Sequence, residues 1–416
     1  MSEEGGEMAR RGGALPDDDN LLREIFLRLP PQPSSLPRAS AVCKRWRLLV
    51  TDPKFLQCFR ARHGKPPLLG VFSYLDKPVF SPILDPPDRI SPERFSLSSC
   101  SCALRNRNHV LGCRHGRVLL RCPMLNEFVV CDPISSEERR VAAPPEFEGL
   151  VLNGAVVCAA GDEGHVHGDC HSSHFKVVLV SMHGYDHQYD DDQPVACVYS
   201  SETGMWGDLI STTESCQLYD PGSPATLVGN ALYWLQFNSG DPGILEFDLD
   251  VQSLSLITEP DIGNDFYYGS RQIIQVEDGD IGLVIFYYHS IKIWHRKVNC
   301  HGVATWLVHK TVDMHSILGL PPQLDEWDIG TIMGYAEDSD AIFICVDSNV
   351  YMVQLKSMQS KRLHDMVDHQ LDIADNDWLT TILLQVFIHQ LSSFLGVKLT
   401  NHCKIICQMR NSVNLF

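Results

Sequence analysis

The stretch LPDDDNLLREIFLRLPPQPSSLPRASAVCKRWRLLVTDPKFLQCFRARH, Leu15 to His63, is unlike the rest of the chain, and its reading decides the fold. Apolar residues recur in it at steps of three and four, the period of a helix packed on one side. Three short helices are expected. In the first, Asp18 or Asp19 caps the start, Leu22, Ile25, Phe26 and Leu29 share a face, and Pro30 and Pro31 end it. In the second, Ser34 or Ser35 caps and Pro37 falls in the first turn. Leu36, Ala39, Val42, Cys43, Trp46 and Leu49 form its stripe, with Lys44, Arg45 and Arg47 off it. Asp52 and Pro53 then start a third helix, with Phe55, Leu56 and Phe59 on its apolar side.

A unit of this size buries little surface, yet it holds more apolar residues than its own core needs. Leu15 and Pro16 have no evident internal partner, which points to a docking face; the alternative is a plain helical cap on whatever follows. Residues 1–14, rich in Gly, Glu and Arg, read as a disordered leader.

Charge separates the same regions. The chain of 416 residues carries a net charge of −18. Residues 1–65 hold twelve Lys and Arg against eight Asp and Glu, so the remainder carries −22. An acidic body of that kind argues against nucleic acid as the main ligand, because phosphate contacts need clustered cations. Fifteen cysteines are scattered from Cys43 to Cys407, and the opening MSEEGGEMARRGG has no apolar core of a secretory signal. Reduced thiols in the cytoplasm, the nucleus or both are expected.

From residue 66 the texture changes to short apolar or alternating runs separated by Gly, Pro, Asp and Asn. Units such as GRVLLRC with EFVVCDP, or AIFICVD with VYMVQLKSMQSKRL, begin near residues 116, 176, 231, 282 and 341. Their spacings of 51 to 60 residues suit four-stranded propeller blades with some long loops. A less clear unit occupies 68–110. The expected architecture is α+β and multidomain: a small three-helix N-terminal module, then a mainly-β, degenerate propeller-like domain over 66–363. Two packed β-sheets are the alternative. After Leu363 the strand pattern gives way to a tail, 364–416, in which the apolar run 378–397 reads as a helix or as unstructured chain. Gln385, His389 and Gln390 interrupt it, which argues against a membrane span.

Catalytic signatures are few. The paired CxxC spacing of a zinc-bound ring, a GxSxG elbow and a GxxxxGK[ST] loop are all absent from the sequence. The densest ligand set is GDEGHVHGDCHSSHF, with His165, His167, Cys170, His171 and His174. Its spacing matches no standard metal module, so it reads as a polar loop, with no metal and no cofactor assigned. The acidic run around Asp186 and Asp190 to Asp192 reads as a solvated loop.

Taken together, LPDD, VCKRWR and DPKF within 50 residues resemble an F-box along its whole length. Leu15-Pro16, the Leu22/Ile25/Leu29-Pro30 face, Val42-Cys43-Lys44, Trp46-Arg47 and Asp52-Pro53-Lys54-Phe55 carry the likeness. The form with PPQPSSLPRAS looks most like plant F-box proteins of the grass type, and 66–363 resembles the propeller-like domain that follows the F-box in them. That resemblance implies a non-catalytic substrate adaptor of a Skp–cullin–F-box ubiquitin ligase. The F-box would dock on a Skp-family linker, and through it on cullin, while the second domain holds an unknown protein target. The implied linker-binding residues are Leu15, Pro16, Leu22, Ile25, Leu29, Pro30, Leu36, Val42 and Trp46. Arg38, Lys44 and Arg47 would pair with acidic groups on the linker and set register. Trp46 above all is a candidate for the module's own core. The resemblance also implies a closing strand at the end of the second domain, which the tail after 363 does not display. The competing class is an independent propeller, a hydrolase or small-ligand binder, with a structural helical cap.

Overall fold

The computed structural model of the protein describes residues 18–74, 78–95, 109–122, 125–147, 151–160, 165, 167, 170, 173–182, 193–212, 224–235, 243–261, 271–277, 279–287, 290–320, 330–346, 349–363 and 381–385. The chain divides at Gly64 into a helical unit and a β unit.

The helical unit has four described helices: α1 (Asp19–Leu27), α2 (Ser35–Val42), α3 (Lys44–Val50) and α4 (Pro53–His63). The expected second helix is two. Cys43, at φ −159° and ψ 167°, is fully extended and separates α2 from α3. Its Sγ accepts from the Trp46 amide at 3.5 Å and its carbonyl from the Arg47 amide at 3.0 Å, so the break serves as the N-cap of α3. Other ends follow the sequence. Asp18 caps α1 by accepting from Asn20 N at 2.8 Å, and Asp52 caps α4 by accepting from Lys54 N at 3.2 Å, with Pro53 in the first turn. Gly64, at φ +69°, ends α4 in a conformation that disfavours a side chain. The core joins Leu22, Phe26, Leu36, Ala39, Leu49, Val50, Phe55 and Phe59. Burying each large member contributes about 1.5–3 kcal/mol.

The β unit is a propeller. Its first blade comprises His109–Arg114, Arg117–Cys122, Glu127–Asp132 and Glu137–Ala142. The second has Val151–Cys158, Phe175–Met182 and Val195–Ser200, with Met205–Trp206 and Ile210–Ser211 both on its outer edge. Thr226–Val228, Ala231–Leu235, Gly243–Asp248 and Ser253–Thr258 make the third. The fourth is Arg271–Gln275, Ile281–Tyr287, Ser290–Val298 and Ala304–Asp313, and the fifth Thr331–Ala336, Ala341–Val346, Asn349–Gln354 and Ser360–Leu363. All these pairings are antiparallel, and all but that of Ile210–Ser211 with Val195–Ser200 join consecutive strands. The core lies between blades: Val178 and Val180 pack with Trp234 and Phe247, and Val284 and Phe286 with Ile342 and Ile344. A sheet covered on both faces reads as an unbroken apolar run, which is why Ala341–Val346 is buried at every position.

The ring does not end at Leu363. Thr381–Gln385 is a strand, paired antiparallel with Leu68–Tyr74, which in turn pairs with Pro78–Pro82. This corrects the reading of that part of the tail as helix or unstructured chain. Thr381–Gln385 lies beside both Thr331–Ala336 and His109–Arg114, the first strands of the last and first blades. A three-stranded sheet drawn from both ends of the domain thus closes the circle that the five blades begin. The remaining tail, the leader 1–14 and the acidic run 186–192 lie outside the described residues. No described helix is long and apolar enough to cross a membrane.

Candidate functional site

The helical unit sorts the implied linker-binding residues into two groups. Leu22 and Leu36 are buried in its core, Leu29 is half-buried against it, and Trp46 packs edge-on against Phe26 with ring centroids 4.8 Å apart. Those side chains hold the module together. Ile25 (42% exposed), Val42 (58%) and Pro30 remain on the surface, and two residues the sequence reading passed over join them, Leu21 (48%) and Leu48 (63%). Leu15 and Pro16 lie outside the described residues.

Helical period pairs these exposed groups. Leu21 and Ile25 stand one turn apart on α1, Arg38 and Val42 on α2, and Lys44 and Leu48 on α3. On α2 and α3 an exposed apolar side chain thus stands one turn from a cation. Arg38 and Lys44 are exposed and make no ion pair among the described residues. Arg47 is also exposed, but its Nε donates to the Ser40 carbonyl at 3.4 Å near the end of α2. Two ion pairs brace the scaffold: Arg45 with Asp19 and Arg23 with Asp52, each at 2.7 Å. The Arg23 hydrogen bond holds the Asp52 carboxyl below its ordinary value.

In the β unit the polar groups of the blades' first strands are committed to one another. Arg114, at the end of the first blade's first strand, donates from Nε and Nη2 to Glu337, at 2.9 and 2.5 Å. Glu337 follows the corresponding strand of the fifth blade. Arg114 Nη2 also donates to the Ala225 carbonyl at 2.7 Å, and Leu227 N donates to Glu337 at 2.6 Å, both from the third blade. One buried pair therefore ties three blades. Burial pushes the neighbouring Cys113 thiol up to about 12.

The His/Cys loop is gathered rather than spread out. His165, His167 and Cys170 converge with Cys158, the last residue of Val151–Cys158 and one the sequence reading did not include. His174 is exposed and outside the group, and His171 lies outside the described residues. The signal for Cys158 was its position seven residues before His165, masked by the apolar strand that ends on it. Hydrogen bonding with Cys170, opposed by burial and aided by His167, holds the Cys158 thiol below its ordinary value.

A short helical module with an exposed apolar and basic face, followed by a ring of antiparallel blades, defines the class: an F-box protein with a β-propeller. Residues 14–58 match the F-box domain, and residues 109–376 match the beta-propeller of the F-box protein AT5G49610-like family; the chain belongs to that family. Among Arabidopsis thaliana proteins it is similar to F-box protein At5g49610, 25% identical over 370 residues, covering 85% of this chain and 92% of that one. Putative F-box protein At3g16590 is 25% identical, covering 70% of this chain and 77% of its own. F-box/kelch-repeat protein At3g61590 is 26% identical over about half of each, 54% and 52%.

Proposed function

We propose that this protein is the substrate-recognition adaptor of a Skp–cullin–F-box ubiquitin ligase. Its helical unit docks on a Skp-family linker, and through it on cullin, while the propeller holds the protein to be ubiquitinated. The protein is a non-catalytic subunit and works in the cytoplasm, the nucleus or both. The observation that carries the reading is the exposed set Leu21, Ile25, Val42 and Leu48 beside Arg38 and Lys44, on a module whose core is complete without them. Apolar side chains supply the affinity of such a face, and the cations select an acidic partner. The mutual commitment of Arg114, Glu337 and the third-blade backbone supports an adaptor over a hydrolase, since those charges are already hydrogen-bonded to one another.

The test is co-purification of a Skp-family linker with the wild-type chain and with an Ile25→Asp, Val42→Asp double variant. Both sites are exposed, so the module keeps its fold. Charging two apolar contacts removes about 1–2 kcal/mol at each, and affinity falls about thirtyfold to several hundredfold. Undiminished capture by the folded variant, or none by the folded wild type, would sink the reading.

A further inference from the structure

Four soft donor atoms meet at one end of the second blade. Cys158 Sγ lies 3.4 Å from His165 Nε2, Cys170 Sγ lies 3.3 Å from the same nitrogen, and Cys170 Sγ lies 3.7 Å from His167 Nδ1. All four ligand atoms fall within 4.8 Å of one another. A tetrahedral zinc with Zn–S near 2.3 Å and Zn–N near 2.0 Å places sulfur and nitrogen about 3.5 Å apart along each edge. The three S···N distances straddle that value. Three edges of the tetrahedron are thus already near coordination length.

The surroundings are those of a held site. Cys170 is fully buried, and its carbonyl accepts from the buried Arg117 guanidinium, which also reaches the Ser173 carbonyl at 2.6 Å. The Ala160 amide donates to Cys158 Sγ at 3.4 Å, as backbone amides do toward a thiolate. The His115 ring stacks on His167 with centroids 3.7 Å apart and planes 15° apart. His115 Nδ1 accepts from the Cys158 amide at 3.0 Å, so one side chain positions two members of the group. His115 itself is fixed by a two-residue turn, His115 at φ 52° and Gly116 at φ 78°, that joins the first two strands of the neighbouring blade.

We propose that Cys158, His165, His167 and Cys170 bind one zinc ion as a closed Cys2His2 centre that pins the connection between Val151–Cys158 and Phe175–Met182. Two thiolates neutralise the dication, so the centre carries no net charge into a half-buried place. Both sulfurs ligate as thiolates. Four protein ligands fill the tetrahedron, which makes the centre structural rather than catalytic. Its effect is to fix Cys158, His165, His167 and Cys170 in one place beside the first blade's hairpin.

The test uses the full chain, purified without chelator, with zinc measured by mass spectrometry and cobalt(II) exchanged in as a spectroscopic probe. About one zinc per chain is expected, with tetrahedral cobalt bands and a thiolate-to-cobalt charge-transfer band in the exchanged protein. Cys158→Ser and Cys170→Ser lower the zinc content at least about tenfold, whereas His174→Ala leaves it unchanged. Should the cysteine variants fail to fold, the wild-type charge-transfer band decides alone, because it requires sulfur ligands. Folded wild type with neither zinc nor thiolate-ligated cobalt overturns the proposal. So does a Cys158–Cys170 disulfide that, once reduced, still takes up no metal.

Discussion

Replacing Glu337 by Ala should be among the most damaging single changes in the propeller at a residue outside its apolar core. The carboxylate accepts three hydrogen bonds, two from Arg114 and one from Leu227 N, and the Arg114 side chain is 8% exposed. Removing one partner of a buried pair costs about 3–5 kcal/mol, mostly from the stranded charge. Arg114 would keep the Ala225 carbonyl, and Glu337 is partly open to water, so the low end, about 3 kcal/mol, applies to the pair. The unpartnered Leu227 amide adds about 1 kcal/mol. In a domain of this size such a loss lowers the melting temperature by about 6–8 °C. Circular dichroism of the full chain would follow the β transition. Adding Arg114→Met to Glu337→Ala removes the stranded charge and should bring stability back to within about 2 kcal/mol of wild type, the remainder being the Leu227 amide and the Ala225 carbonyl. A single variant melting within about 1 °C of wild type, or a double variant no more stable than the single, would refute the view that this pair ties three blades.

Three further outcomes are expected. A chain ending at residue 376 loses Thr381–Gln385 and leaves one edge of Leu68–Tyr74 unpaired, so size-exclusion chromatography should show aggregates where the longer chain is monodisperse. Gly282→Ala places a Cβ 2.5 Å from Val276 Cγ1 and 3.0 Å from the Trp294 carbonyl, which should cost about 1–3 kcal/mol in a urea titration. In thiol alkylation at pH 8 read by mass spectrometry, exposed Cys43, Cys58 and Cys300 should label first among the described cysteines outside the proposed zinc centre. Burial pushes Cys197 up to about 11 and Cys113 up to about 12, leaving about one thousandth or less as thiolate, so both should stay unlabelled until the protein unfolds.

The strands legible in the sequence were the second strand of each blade, since runs such as Ile281–Tyr287 and Ala341–Val346 are apolar throughout and begin where the repeats were placed. The strand preceding each was harder to see. Thr226–Val228 is three residues long, and Arg271–Gln275 is polar at both ends, so neither carries a period of its own. Thr381–Gln385 was hidden for another reason. It sits inside an apolar run of helical length, and what makes it a strand is a partner about three hundred residues earlier. In the helical unit the caps were readable from Asp18, Asp52 and Pro53, but the break at Cys43 was not, because the apolar stripe runs across it unbroken from Leu36 to Leu49. Exposure was the least readable property. Leu21 and Leu22 are adjacent and identical, yet one faces solvent and the other the core.

Sealing the ring with strands from opposite ends imposes an order on synthesis. The helical unit leaves the ribosome first and can fold while the blades are still being made. The seam waits for residue 385, which at about 5–20 residues per second comes some tens of seconds later. For that interval a nascent chain presents its helical face with a propeller still open along one side. A message cut short anywhere before the seam would yield that same half-built species permanently, a folded helical unit joined to raw strand edges in place of a finished surface.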